Sequence, residues 1–255
     1  MDRNEFASSL IRREKKSEEF RKLKDSNKII EPANLSEVKT AKYTRPVIMN
    51  TKSAEYINHE IVSYELYNSF NYSLFLGDEQ KTIRCSLGIT SPNAKEGKTT
   101  SACNLAAALA MGSNHKTVIV DLNFSNPAIH EIFGIESGPG LSEALLGEEV
   151  FVTPTQIENL SVMPAGHHKI IPVKQLSYFN EIAASLLNEF EFVIVDMPPV
   201  NTRSFPTLIA NQLTGLIVVV EARKTKRRDI ERIFRQVNER NVVGFVLNKI
   251  SENDF

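Results

Sequence analysis

A chain of 255 residues with 42% hydrophobic and 24% charged side chains is long enough to bury one large or two small cores, and lies in the ordinary range for soluble globular proteins. Its 30 Lys and Arg against 31 Asp and Glu give a net charge of −1, which excludes a global field for nucleic acid or an anionic membrane and leaves only local basic patches. Two cysteines without CxxC spacing, Cys85 and Cys103, exclude a disulfide framework or zinc site and predict reduced thiols in a cytosolic core.

In chain order, the opening MDRNEFASSLIRREKKSEEF holds no apolar stretch of a leader, and no later window approaches the ~18 apolar residues of a membrane span. A cytoplasmic protein is expected, or one held at the inner membrane through a partner protein. Residues 1–58 read as a charged N-terminal arm and linker. From Asn4 to Asp25 charges of both signs surround Phe6, Leu10, Phe20 and Leu23, which fits a partner-docking helix or a mobile charged arm. IIEPANLSEVKTAKYTRPVIMNTK then has two prolines and little periodicity, as an extended linker would.

Residues 59–255 alternate apolar strands with helices. Strands are expected at Ile83–Thr90, Thr117–Leu122, Leu160–Pro164, Phe192–Met197, Leu216–Glu221 and Val242–Leu247, with helices at Thr99–Met111, Gln175–Phe190 and Lys226–Glu239. TVIVDL, FVIVDM, LIVVVE and VVGFVL are nearly all apolar, so both faces of the sheet are expected to be covered. This alternation predicts an α/β, doubly wound, mainly parallel sheet with helices on both faces and a ligand beyond the carboxyl ends of its strands.

Between the first strand and helix stands SPNAKEGKTT. A phosphate loop needs inward N–H groups, a Lys for the β/γ-phosphates, a Ser/Thr hydroxyl for Mg²⁺ and a helix N-terminus behind them. Gly97, Lys98 and Thr99 supply the end of GxxxxGK[ST], but its first glycine falls on Pro92. Lys95 stands where related loops often carry a second glycine, and an L-residue at positive φ could distort the loop. Ala94, Lys95, Glu96, Gly97, Lys98, Thr99 and Thr100 are the candidate nucleotide-binding residues. Asp121 and Asp196 each end an apolar strand, where a carboxylate can hold Mg²⁺ or orient an attacking group; the alternative for either is a helix cap. Lys98, Asp121 and Asp196 are the candidate catalytic residues. Thr99, Asp121 and Asp196 are the candidate metal ligands, with ATP or ADP and Mg²⁺ as cofactors.

These residues resemble the bacterial tyrosine kinases of capsule and exopolysaccharide systems, a branch of the P-loop superfamily that includes the ParA/MinD ATPases. The likeness runs from about Glu60 to Asn248. ITSPNAKEGKTTSACNLA resembles the family's first Walker motif, and VIVDLNFSNPAIHEIFG with GPGLSEALLGE its second Walker motif and the segment beyond; VMPAG and VIVDMPPV resemble later strand ends. The signature lysine of ParA/MinD proper would fall on Asn93. The resemblance implies ATP binding, protein-tyrosine phosphorylation, a polysaccharide chain-length or export membrane protein as partner, and a homo- or hetero-oligomer.

Besides Ser125 in place of a following arginine, this chain departs from the family at three places. Asn123 replaces the second Asp of its DxD motif, and asparagine cannot take a proton or supply a full charge. In ELYNSFNYSLF, Glu65 and Tyr67 are kept, but Asn68 and Asn71 replace the arginines that contact the neighbouring subunit. The chain ends NKISENDF, with no tyrosine beyond Tyr178 as an autophosphorylation tail. The expected function is an ATP-binding regulator or partner with weak or absent kinase activity. An active autokinase using Tyr43, Tyr56, Tyr64, Tyr67, Tyr72 or Tyr178 is the alternative, and a MinD-like ATPase switch a further one.

Two other patterns are weaker. Arg223, Lys224, Lys226, Arg227 and Arg228 read as a solvated helix start, or else as a contact for nucleotide or an acidic partner; without interleaved aromatics, no nucleic acid is expected. His167 and His168 are adjacent and lack a third ligand, so no metal beyond Mg²⁺ is assigned.

Overall fold

The computed structural model describes residues 39–40, 84–112, 115–149 and 151–250. The charged arm, the boundary near residue 58, the ELYNSFNYSLF segment, every candidate acceptor tyrosine except Tyr178, and residues 251–255 lie outside them.

The described chain runs β1 (Lys39–Thr40), β2 (Cys85–Thr90), α1 (Lys98–Gly112), β3 (Thr117–Asp121), α2 (Ile129–Phe133), α3 (Leu141–Leu145), β4 (Phe151–Pro154), β5 (Leu160–Met163), α4 (Val173–Leu176), α5 (Phe179–Glu189), β6 (Phe192–Asp196), α6 (Thr207–Ala210), β7 (Gly215–Glu221), α7 (Arg227–Gln236) and β8 (Val242–Asn248). The sheet order is β1-β4-β5-β3-β6-β2-β7-β8. Every neighbouring pair is parallel except β4 with β5.

The all-apolar strands are buried on both faces because alternate residues enter two separate cores. Val118 and Val120 of β3 and Val193 and Val195 of β6 meet Phe179, Ile182 and Leu186 of α5 and Ile233 of α7. Ile119, Phe192 and Ile194 point the other way, onto Leu105 and Leu109 of α1. Each such Leu or Ile stabilises by ~1.5–3 kcal/mol relative to exposure. Ala102 to Ala110 of α1 are buried all round, which the alanine-rich NLAAALA permits by letting the helix lie close against the sheet. Its one polar member, Asn104, is satisfied by donating Nδ2 to the Thr100 carbonyl at 2.9 Å.

The six expected strands and the doubly wound architecture are present. The helix expected over Gln175–Phe190 divides into α4 and α5, because Ser177 and Tyr178 turn the chain between them. Strand β4 and the short helices α2 and α3 went unforeseen because four or five residues are too few to show a period. Cys85 and Cys103 are free and buried, and burial pushes the Cys85 thiol up to about 12.

Candidate nucleotide site

Strands β2, β3 and β6 lie side by side, and their register sets the site. Asp121 of β3 is level with Asp196 of β6, which is itself level with Ile89 of β2. The chain leaving β2 turns through residues 91–97 and enters α1, so the N-terminus of α1 faces the two aspartates. The first turn of α1 contains no acidic residue, and its free N–H groups and positive dipole end are left for an anion.

Two residues of this loop take left-handed backbone. Lys95 lies in the left-handed region at φ +66°, and Gly97 follows at +99°. Gly97 is needed twice over, since a Cβ there would also meet Asn248 Nδ2 at 1.9 Å. Pro92 is accommodated, with its carbonyl accepting from the Asn201 N–H at 3.1 Å. Glu96 is the internal brace. Its carboxylate accepts from the Asn93 N–H (2.8 Å), Asn93 Nδ2 (3.1 Å) and Thr225 Oγ1 (2.6 Å), while its carbonyl accepts from Asn248 Nδ2 (2.9 Å). Lys249 Nζ donates to the Lys95 carbonyl at 2.7 Å and to Glu221 at 3.0 Å.

Of the loop residues expected at the nucleotide, Ala94 and Lys95 are exposed, Thr99 and Thr100 half-buried, and Lys98 buried. The Lys98 ammonium donates to Thr99 Oγ1 (3.0 Å) and lies 3.6 Å from Asp196 Oδ1. Thr99 Oγ1 donates to Asp196 Oδ2 at 2.7 Å. Asp196 Oδ1 is buried without a hydrogen-bond partner among the described residues. Burial pushes the Asp196 carboxyl up to about 7; Lys98 opposes that rise, and nearby Asp121 adds to it.

The two aspartates differ in what already engages them. Asp121 takes the cap: Oδ1 accepts from the Asn123 N–H (3.0 Å), and Oδ2 from the N–H groups of Ala128 (3.0 Å) and Ile129 (3.2 Å) at the start of α2. Burial raises its carboxyl, and these three bonds with Lys98 only partly offset that. Asp196 caps nothing and faces Thr99 and Lys98. Asn123, in the place of the family's second Asp, is buried and donates Nδ2 to the Asn126 carbonyl at 3.0 Å.

Among the described residues no group of three or more His, Cys, Asp or Glu forms a metal cage. What is present is a hard-oxygen set of one hydroxyl and two carboxylates, one with a buried oxygen that accepts no hydrogen bond among the described residues. That suits Mg²⁺, which favours one or two carboxylates plus phosphates and water. His167 and His168 instead flank Glu143, whose carboxylate accepts from the N–H groups of His167 (2.9 Å) and Gly140 (2.8 Å).

The basic run divides. Arg227 pairs with Glu231 (2.9 Å), and Arg228 and Arg232 lie near Asp229, as at a solvated helix start. Lys224 joins Lys249 on Glu221, and those two cations hold the Glu221 carboxyl below its ordinary range. Sequence reasoning missed Asn201, Thr225, Asn248 and Lys249. A readable signal for the last two was NK directly after an apolar strand, which places a polar pair at a strand's carboxyl end.

The CobQ/CobB/MinD/ParA nucleotide binding domain matches residues 87–255. The tyrosine-protein kinase CpsD of Streptococcus agalactiae serotype Ia is 30% identical over 200 residues, covering 74% of this chain and 83% of that kinase. Among solved structures, the chimerical protein CapA2B2 superposes with a TM-score of 0.67 at 27% identity, covering 82% of this chain and 95% of the other. The septum site-determining protein MinD of Pyrococcus horikoshii, solved with Mg-ADP, shares the fold with a TM-score of 0.52 at 20% identity, covering 68% of this chain and 74% of that one. Among the described residues no helix is long and apolar enough to cross a membrane.

Proposed function

We propose a function from one premise: the chain belongs to the CobQ/CobB/MinD/ParA nucleotide-binding family and, within it, to the bacterial tyrosine kinases. On this reading the protein binds ATP or ADP with Mg²⁺ at residues 94–100 and acts as a regulator or partner in polysaccharide synthesis or export, with phosphoryl transfer weak or absent. Lys98 neutralises the terminal phosphates, and the start of α1 with the loop N–H groups holds their oxygens. Thr99 and Asp196, with Asp121 as second carboxylate, are the residues that would hold Mg²⁺, which when bound shields the charge on the phosphates.

The observation that carries this reading is the buried Oδ1 of Asp196, which lacks a hydrogen bond among the described residues and has the Lys98 ammonium 3.6 Å away, beside the Thr99 hydroxyl. A buried acceptor without a hydrogen bond is costly in a folded protein and is expected where a ligand completes it. Asn123 supports the non-catalytic half. Its amide cannot accept a proton from an acceptor hydroxyl, and it is committed to its own turn. A membrane protein of chain-length control or export is the proposed partner, met through the N-terminal arm or the nucleotide face, in a homo- or hetero-oligomer.

The test is intact-protein mass spectrometry after incubation with Mg²⁺ and ATP, beside Lys98→Met, with bound nucleotide quantified in the same samples. Bound nucleotide without added phosphate is the expected result. Phosphate on tyrosine in the unmutated protein alone would assign an active kinase instead, and the absence of both signals would overturn nucleotide binding.

A further inference from the structure

Beyond the phosphate loop, the carboxyl ends of the strands carry a second concavity of about 540 Å³. It lies between the segments that follow β3, β5 and β6, on the side away from β7 and β8. Asn123 and Pro198 line it, whereas no residue of the phosphate loop does. It adjoins the nucleotide site without sharing that site's anion-binding groups.

The composition of this groove is one-sided. Its floor is apolar, with buried Leu122 and Phe205 beside Phe124 and Ile171. Its rim holds Ile170, Val173 and Leu208, which are 39%, 78% and 46% exposed. These are three of the eight large exposed hydrophobic residues among those described, so the rim concentrates apolar surface that a monomer would otherwise spread singly. Lys169 and Arg203 are the only charged residues of the lining. Neither has an ion-pair partner among the described residues, and the described lining holds no carboxylate. An apolar floor with two unpaired cations at its edge is complementary to a bulky apolar side chain flanked by acids.

We propose that this groove docks an extended acidic peptide of a partner protein, which sets an aromatic side chain on Leu122, Phe124 and Phe205 and its carboxylates on Lys169 and Arg203. The volume suits one or two large side chains, and the Arg203 guanidinium offers a fork that a carboxylate accepts in bidentate fashion. Because Asn123 borders both sites, an occupied groove would place the partner beside the bound nucleotide. The proposal rests on the reading of a partner-engaging protein and requires no phosphoryl transfer.

The test uses the full chain and a short fluorescein-labelled peptide with one phenylalanine flanked on each side by aspartates. Fluorescence anisotropy is read beside binding of a fluorescent ADP analogue to the same samples. Saturable binding is expected, weakened at least ~10-fold by Lys169→Glu with Arg203→Glu and likewise by alanine in place of the peptide's phenylalanine. Analogue binding should stay unchanged, which also shows that the variant folds; Lys169→Ala with Arg203→Ala is the milder pair should the reversal fail to fold. Peptide binding that ignores these substitutions, or its absence while the analogue still binds, overturns the groove and leaves the nucleotide reading standing. Loss of analogue binding with peptide binding intact does the reverse. Self-association abolished by the double variant, or capture by phosphatidylserine vesicles without peptide binding, also overturns the proposal and assigns the face to a second copy or to a lipid surface.

Discussion

Lys95 and Asp196 depart from ordinary behaviour in ways a single substitution can read. At φ +66°, a lysine bears a left-handed conformation that costs an L-residue ~1–2 kcal/mol, yet the Lys249 ammonium holds its carbonyl in that position. Lys95→Gly should therefore raise stability by about 1 kcal/mol in urea denaturation and, on the proposed reading, change nucleotide affinity little, since a glycine would hold the same left-handed backbone. A large gain in affinity would mean instead that the lysine distorts the site. Asp196 supplies a pH signature. Its carboxyl is raised from 3.8 to about 7, so the folded chain holds the proton more tightly than the unfolded chain does. Stability from this group is complete below the unfolded value and falls as pH climbs to about 7, at ~1.4 kcal/mol per unit. Denaturation of the ligand-free protein between pH 5 and 7 should show that decline, and Asp196→Asn should flatten it. Asn123→Asp asks the catalytic question. It sacrifices the bond to the Asn126 carbonyl, worth ~1 kcal/mol, and restores a proton-accepting group worth ~10² or more in rate. A rise in tyrosine phosphate would show that Asn123 limits phosphoryl transfer, whereas an unchanged rate would turn attention to Asn68 and Asn71, which stand where the family pattern has arginines.

Short elements carry much of the site's precision, and they were the least legible in the sequence. The apolar runs TVIVD and FVIVD announced both their burial and the aspartates at their ends, because a strand covered on two faces has no polar residue until it leaves the sheet. Nothing in the spacing distinguished Asp121 from Asp196. The difference arises from α2, a five-residue helix whose start brings two N–H groups onto Asp121 but none onto Asp196. Helix α3 shows the same economy: Glu143 in its first turn gathers N–H groups from Gly140 and from His167 on the loop after β5. Burial alone would raise the Glu143 carboxyl, but these donors outweigh it and hold the group below its usual range of about 4.5. Its stabilisation is thus present above that value and is lost as pH falls through the lower folded one. Glu143→Gln keeps the shape and removes the charge, so about 1–3 kcal/mol of stability should disappear at neutral pH, with a smaller difference from the parent in acid. An equal loss at every pH would show that packing, not charge, is what Glu143 supplies.

At the scale of the whole molecule, the sheet order explains how the loop of residues 91–97 is held in place despite an irregular sequence. Strand β2 sits between β6 and β7, so the loop leaving it is gripped from both sides: by Asn201 after β6, and by Thr225 after β7, Asn248 at the end of β8 and Lys249 just beyond it. A motif search sees only the loop and scores Pro92 and Lys95 as defects. The grips come from residues more than a hundred positions away and become visible only once the strands are ordered. If those grips preform the site, nucleotide and fold should be linked in a simple way. Mg²⁺ and ATP at ~100 times the dissociation constant should add ~2.7 kcal/mol, a rise of roughly 5–10 °C in Tm for a protein of this size. Lys98→Met should abolish that rise with little change in the unliganded Tm. Glu143→Gln should lower the unliganded Tm and leave the nucleotide-induced rise intact, because Glu143 braces α3 and the loop after β5 and touches no phosphate-loop residue. A nucleotide-induced rise that vanished in both variants would show that the site forms only as the whole sheet edge orders, and would overturn the preformed loop.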